Sequence, residues 1–344
     1  MMTTNHVSPA PPDSGAAVQS AVPPEDESPY RKGYRLPHGL REEIAAAHQS
    51  RPVLTVACAL ADSAVALTAA VLCAWLLVST TPLCSVPSAI VGCVLIARQL
   101  RALENLTHEA SHYNWSRHQR RMNDILAWLF AGLPTSGRLS DYRASHLRHH
   151  GRFGTSEDPD RRRYAELDLE AMDRSSAAGF TGSVLVRITR YQIGWLREVK
   201  SDLTTTAGAL LWSVALVAGP AALLADPVAA LVATGLWVIS VFVFLPVLRL
   251  IAEADEHIYS DSGTVFDATV SNVGLLHRVL VHPHADGYHT VHHLWPGIPH
   301  HALRRVHFML MVQDPEYARR IRIRHRLLDT PQAVAVDEQK EGAR

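Results

Sequence analysis

The sequence predicts an all-α, integral-membrane fold: four transmembrane helices in two hairpins under a cytosolic helical cap. Three observations predict it. Four long apolar stretches run through a chain of 344 residues that is 47% hydrophobic. A tight link joins the first stretch to the second and the third to the fourth, and the dense groups of histidines all fall outside the stretches.

In chain order, the first 29 residues are rich in Pro, Ser, Ala and Thr and lack the basic start and apolar core of a signal peptide. A disordered tail is expected there. The first apolar stretch, Val53 to Leu77, and the third and fourth, Leu203 to Ala225 and Pro227 to Leu250, reach the roughly 20 residues a helix needs to cross a bilayer. The second, about Cys84 to Ala97, is short. It still counts, because Thr80-Thr81-Pro82 ties it to the first as Asp226-Pro227 ties the third to the fourth. Transmembrane segments are therefore expected at about 53–78, 83–98, 203–225 and 227–250, within a membrane domain of 30–328. The cap takes about 99–200 and 251–328, and a polar tail follows at 329–344.

Charge gives the orientation. Arg31, Lys32, Arg35, Arg41 and Arg51 precede the first hairpin, Arg98 and Arg101 follow it, Arg187, Arg190, Arg197 and Lys200 precede the second, and Arg249 closes it. The two hairpin links carry neither Lys nor Arg, so both termini and the cap are expected on the cytoplasmic side of the membrane. Acidic and basic residues balance at 33 each, which gives no reason to expect nucleic acid as a partner. Cys58, Cys73, Cys84 and Cys93 lie in or beside apolar stretches without paired spacing and read as small buried hydrophobes. Asp62, inside the first stretch, is either functional or bonded between helices.

Twenty histidines are many for this length, and their spacing matters more than their number. "THEASHY" sets His108 and His112 on one helical face. "SHLRHHG" supplies His146, His149 and His150, and "YHTVHHLWP" supplies His289, His292 and His293. H-x-x-H-H thus occurs twice, and on a helix each group can present three nitrogens around one point. Imidazole suits Fe, Zn, Cu or Ni, and eight such ligands are too many for one tetrahedral ion, so two metals are expected. His108-Glu109-Ala110-Ser111-His112 also matches the H-E-x-x-H of zinc peptidases, which have no use for two further H-x-x-H-H groups.

The three groups together resemble the histidine boxes of the membrane fatty acid desaturase and hydroxylase superfamily. "MNDILAWLFAGLP", "DYRASHLRHHGRFGTSEDPD" and "HHLWPGIPHH" extend the likeness, which covers about Arg98 to Arg305. The resemblance implies a non-haem di-iron centre that uses O₂ on a fatty acyl or lipid-like chain, by desaturation or alternatively by hydroxylation of an alkyl, lipid or specialised-metabolite substrate. It implies His257 in "RLIAEADEHIY" as a further ligand. Glu253 stands where relatives can carry Asn, and Glu256-His257 resembles a pair in alkane hydroxylases. Glu109 is then expected to bond a ligand imidazole, and Asp158, with Asp160, either to bond a box-two histidine or to cap a helix. His282, His284, His300 and His301 are expected as supporting or interface residues, and Arg161 to Arg163 as facing lipid headgroups. The chain shows neither a haem-domain nor a dinucleotide-binding pattern, so separate electron donors such as a ferredoxin and its reductase are implied. A zinc peptidase and a non-catalytic metal-handling membrane protein are the remaining alternatives.

Overall fold

Pro52, Pro82 and Pro227 each stand at the first position of a long helix, where a missing N–H costs nothing and φ is already set. The computed structural model describes residues 34–201, 203–260 and 264–333. The tail expected at 1–29, and residues 334–344 of the C-terminal one, lie outside the described residues. In chain order the helices that build the site are α1 (Pro52–Ser79), α2 (Pro82–Ser111), α3 (Leu139–Arg152), α4 (Pro159–Leu167), α5 (Ala177–Ser201), α6 (Leu203–Leu224), α7 (Pro227–Glu256), α8 (His289–Leu294) and α9 (His300–Gln313).

Four of these, α1, α2, α6 and α7, are long and apolar enough to cross a membrane. Only 11% of the apolar window of α6 is buried inside the protein, so most of that surface is left for lipid. Helices α1 and α2 pack along a stripe of Ala59, Ala66, Ala70 and Ala74, where small side chains let backbones approach. Gly92 marks the closest approach: a Cβ there would lie 2.8 Å from Cys73 Sγ.

The second and fourth helices run further than the apolar pattern predicts. Helix α2 continues unbroken to Ser111 and α7 to Glu256. The apolar run ends at Ala97, but Arg101, Glu104 and Glu109 pair or bond inside the protein and the helix carries on with them. His108 therefore sits on the same rod as the membrane span.

Four π turns occur among the described residues, at Trp128–Gly132, Val214–Ala218, Ser240–Phe244 and His277–Val281. Each ends two residues before a proline: Pro134, Pro220, Pro246 and Pro283. Proline lacks an N–H and its ring clashes with the carbonyl four residues back, which in every case lies within the widened turn. Proline thus explains all four.

The cap is helical except for a small sheet in which β1 (Ser271–Asn272) pairs parallel to β2 (Arg322–Arg324), itself antiparallel to β3 (Gln332–Ala333). Buried Arg324 ties it to α7, reaching Asp255 at 3.0 Å and the Asn272 side chain at 3.2 Å.

Candidate metal centre

Helix geometry decides which histidines meet. Neighbouring residues on an α-helix point about 100° apart, since 3.6 residues complete a turn. His149 and His150 therefore diverge, as do His292 and His293. Positions i and i+4 converge instead, so in α3 His146 and His150 go together, and in α8 His289 and His293 do.

Two contiguous clusters of imidazole Nε2 atoms result. In the first, His108 lies 3.0 Å from His292, His150 3.1 Å from both His292 and His146, and His146 2.9 Å from His112. In the second, His149 lies 3.3 Å from His293, His293 3.0 Å from His289, and His289 3.1 Å from His257. The rings of His150 and His293 touch across the divide, 4.4 Å between centroids. The expectation that each H-x-x-H-H box surrounds one point is corrected: both of these boxes split, two nitrogens to one cluster and one to the other, while His108 and His112 stay together. Box two gives its pair to the first cluster and box three to the second.

The partners of the outer ring nitrogens fix the tautomers. Nδ1 of His108 faces Asp286 at 3.2 Å, Nδ1 of His149 faces Asp158 at 2.9 Å, and Nδ1 of His257 faces the carbonyl of Ala268 at 3.2 Å. With the proton on Nδ1, each Nε2 turns a lone pair into the cluster. Lone pairs about 3 Å apart repel unless a cation lies between them, so the donor set fits metal ions. Burial pushes His146, His150, His257, His289, His292 and His293 well below the ordinary histidine range, keeping them neutral as ligation requires. His149 differs: burial disfavours its charge, but Asp160 and Asp158 outweigh that and raise it.

The remaining sequence-predicted residues fall as follows. Asp158 does both jobs left open for it, meeting His149 and capping α4 through the N–H groups of Asp160 and Arg161. Glu109 turns away from the clusters and accepts from the backbone N–H of His300 at 2.6 Å. Glu253 pairs with Arg163 at 2.5 Å, so Arg163 points inward rather than to headgroups. Glu256 groups with His257 and His289 closely enough to share an ion. His284 bonds Asp62 at 2.6 Å, and Arg98 reaches Asp62 at 3.3 Å, which makes Asp62 a bond between elements. A separate buried group, Asp255, His277 and His282, is a poorer ion site, because Arg174 at 2.6 Å and Arg324 at 3.0 Å already neutralise Asp255.

Sequence reading missed Asp286, Tyr142 and Phe153. Tyr142 stacks on His146 with 5.3 Å between ring centroids, and Phe153 covers the second cluster, 4.8 Å from His293. Asp286, three residues before His289, is an acid beside a box, and that was the available signal. Although burial favours its neutral form, His108, His282 and Arg101 hold it well below the usual carboxylate range.

Residues 83–325 match the family described as "Fatty acid desaturase". A relative, the dihydrorhizobitoxine desaturase of Bradyrhizobium elkanii, is 28% identical over 246 residues, which is 66% of this chain and 68% of the relative. The family match spans more than half of the sequence and all three histidine boxes, and the chain belongs to the fatty acid desaturase family of membrane oxidoreductases.

Proposed function

We propose that the protein is a di-iron, O₂-dependent desaturase that introduces a double bond into an amphiphilic, lipid-like substrate. The observation that carries this is the pair of imidazole clusters, five nitrogens beside four, drawn from three boxes and His257. His108, His112, His146, His150 and His292 would hold one iron, and His149, His257, His289 and His293 the other. Bound there, the irons would supply reduction of O₂ to water and removal of two hydrogens from adjacent carbons, with two electrons from outside. The protein's own part is to aim the imidazoles through Asp286, Asp158 and the Ala268 carbonyl, to keep six of them neutral by burial, and to shield the second cluster with Phe153. Desaturation is placed ahead of hydroxylation because the relative is named for a desaturation.

No separate acid or base is assigned. The lack of Lys and Arg on both hairpin links supports a site and termini on the cytoplasmic side of the membrane. Electrons come from a separate donor such as a ferredoxin and its reductase.

Metal analysis of detergent-purified protein, with Mössbauer spectroscopy on an iron-57 sample, tests the reading. About two coupled irons per chain are expected. One zinc and no iron, in protein made with iron available, would overturn it and favour the H-E-x-x-H peptidase. An alcohol rather than an alkene on product analysis would assign the hydroxylase reaction instead.

A further inference from the structure

We propose that the substrate is a compact zwitterionic amphiphile, its charged head beside the histidine clusters and its short apolar end in a side chamber among the membrane helices. This rests on the oxidative reading above and names the substrate class of that site.

A cavity of about 770 Å³ borders both clusters, with His108 and His146 of the first and His149, His257 and His289 of the second in its wall. A site that held a bare alkyl chain at the metals would be walled by aliphatic side chains. Among the described residues not one Leu, Ile, Val, Met or Ala lines the cavity; five arginines and six carboxylates do. The deepest of these form pairs, Arg249 with Glu104, Arg163 with Glu253 at 2.5 Å, and Arg101 with Glu256 at 3.9 Å.

Filling this space with methylenes alone would displace water from charged groups without replacing its hydrogen bonds. A purely anionic head would face six carboxylates, and a purely cationic one five guanidiniums. A head carrying both signs satisfies both sets. Guanidinium forks in the wall suit its carboxylate.

The apolar end has its own place. A second cavity of about 210 Å³ meets the first at Thr135, Ser136, Trp195 and Thr206, and is walled by Leu100, Leu210, Val217, Trp237, Val241 and Leu245. It is smaller than the roughly 300–1,000 Å³ of ordinary ligand sites, so it takes a short tail. Because the clusters border the polar cavity, the carbon attacked lies within a few bonds of the head. The two cavities together form one space with a charged part and an apolar part.

Calorimetric titration of the iron-loaded, full-length protein in detergent, without reductant, tests this with four probes: α-aminooctanoate, octanoate, octylamine and palmitate. The α-aminooctanoate is expected to bind about tenfold tighter than octanoate or octylamine, and palmitate no tighter than octanoate. Arg249→Gln is expected to weaken α-aminooctanoate about tenfold at unchanged iron content. Should that variant not accumulate, Thr206→Leu narrows the mouth of the side chamber and is expected to weaken the same probe. No binding of α-aminooctanoate, equal binding of octanoate, or tighter binding of palmitate overturns the proposal. Iron content of the same samples separates the two failures: protein that takes up no iron defeats the oxidative reading, whereas iron-replete protein that prefers palmitate defeats only the substrate class.

Discussion

Asp286 and His108 meet across 178 residues of sequence, with one carboxylate oxygen 3.2 Å from the imidazole Nδ1. The other oxygen lies 3.4 Å from Nδ1 of His282, and Arg101 approaches the same oxygen at 3.1 Å. One carboxylate thus serves two imidazoles and a guanidinium. The turn that carries it is tight, with His284 and Ala285 both at positive φ, 57° and 62°.

Asp286→Asn follows directly from that arrangement. An amide offers one acceptor oxygen, so its NH₂ must face an imidazole N–H or the Arg101 guanidinium, and the tautomer of His108 is released. Metal affinity is expected to fall about 10–100-fold, as for other partners that orient metal-bound histidines. Chelator competition on purified protein reads this. Unchanged affinity would mean that Asp286 serves packing alone.

Asp158 permits a separation of two roles. Its Oδ1 accepts from Asp160 N–H and faces His149 Nδ1, both at 2.9 Å, while Oδ2 accepts from Gly154 N–H. Asp158→Asn keeps an oxygen for the cap but loses the charge behind His149. Asp158→Ala loses both. The alanine variant is expected to be less stable than the asparagine one by about 1 kcal/mol, while both bind metal about tenfold more weakly or worse. Thermal unfolding of chelator-treated protein measures the first difference and metal titration the second. Equal stability of the two variants would remove the capping role.

These two carboxylates show what was legible in the sequence. The four membrane helices could be read because apolar length is a local property, and the box histidines because their spacing is local too. Asp158 lay in a recognisable segment, but its double duty depends on where α3 and α4 end. Asp286 could not be placed, since two of its partners, His108 and Arg101, come from one distant helix, 178 and 185 residues away. The reach of α2 past Ala97 was hidden for a related reason: Arg101 and Glu104 look like the end of a membrane span until Asp286 and Arg249 are seen to pair with them. Polar cavity walls were illegible because acids and bases scattered along the chain reveal no shared surface.

Asp62 gives a stability prediction inside α1. Its carboxylate joins His284 at 2.6 Å and Arg98 at 3.3 Å, with side-chain exposures of 9% for Asp62 and 24% for Arg98. Asp62→Ala leaves Arg98 bonded to the Val279 carbonyl and the Gln99 side chain but without its counter-charge. Removing one partner of a fully buried pair costs roughly 3–5 kcal/mol. Because Arg98 is partly exposed, a loss of about 2 kcal/mol is expected, with Asp62→Asn losing less since it still accepts a hydrogen bond. Thermal denaturation in detergent measures it, and an alanine variant as stable as the parent would show the pair to be energetically idle.

His307 sets an expectation for acid. It lies between Tyr288 and Phe308 with Nδ1 2.9 Å from the Tyr317 hydroxyl, and burial pushes its pKa down to about 4. In the unfolded chain the group titrates near 6.5. Its folded value is the lower one, so as pH falls the unfolded state takes up the proton first. The contribution to stability is whole above about pH 6.5, is lost progressively down to about pH 4, and stays flat below, amounting to about 3 kcal/mol at most. His307→Gln keeps a polar partner for Tyr317 and has nothing to protonate. The stability gap between parent and variant is therefore expected to shift in the variant's favour between pH 7 and pH 4, measured by denaturant unfolding of chelator-treated protein so that metal release does not contribute. A gap that stays constant across that range would assign the acid sensitivity to other buried histidines and leave His307 with packing only.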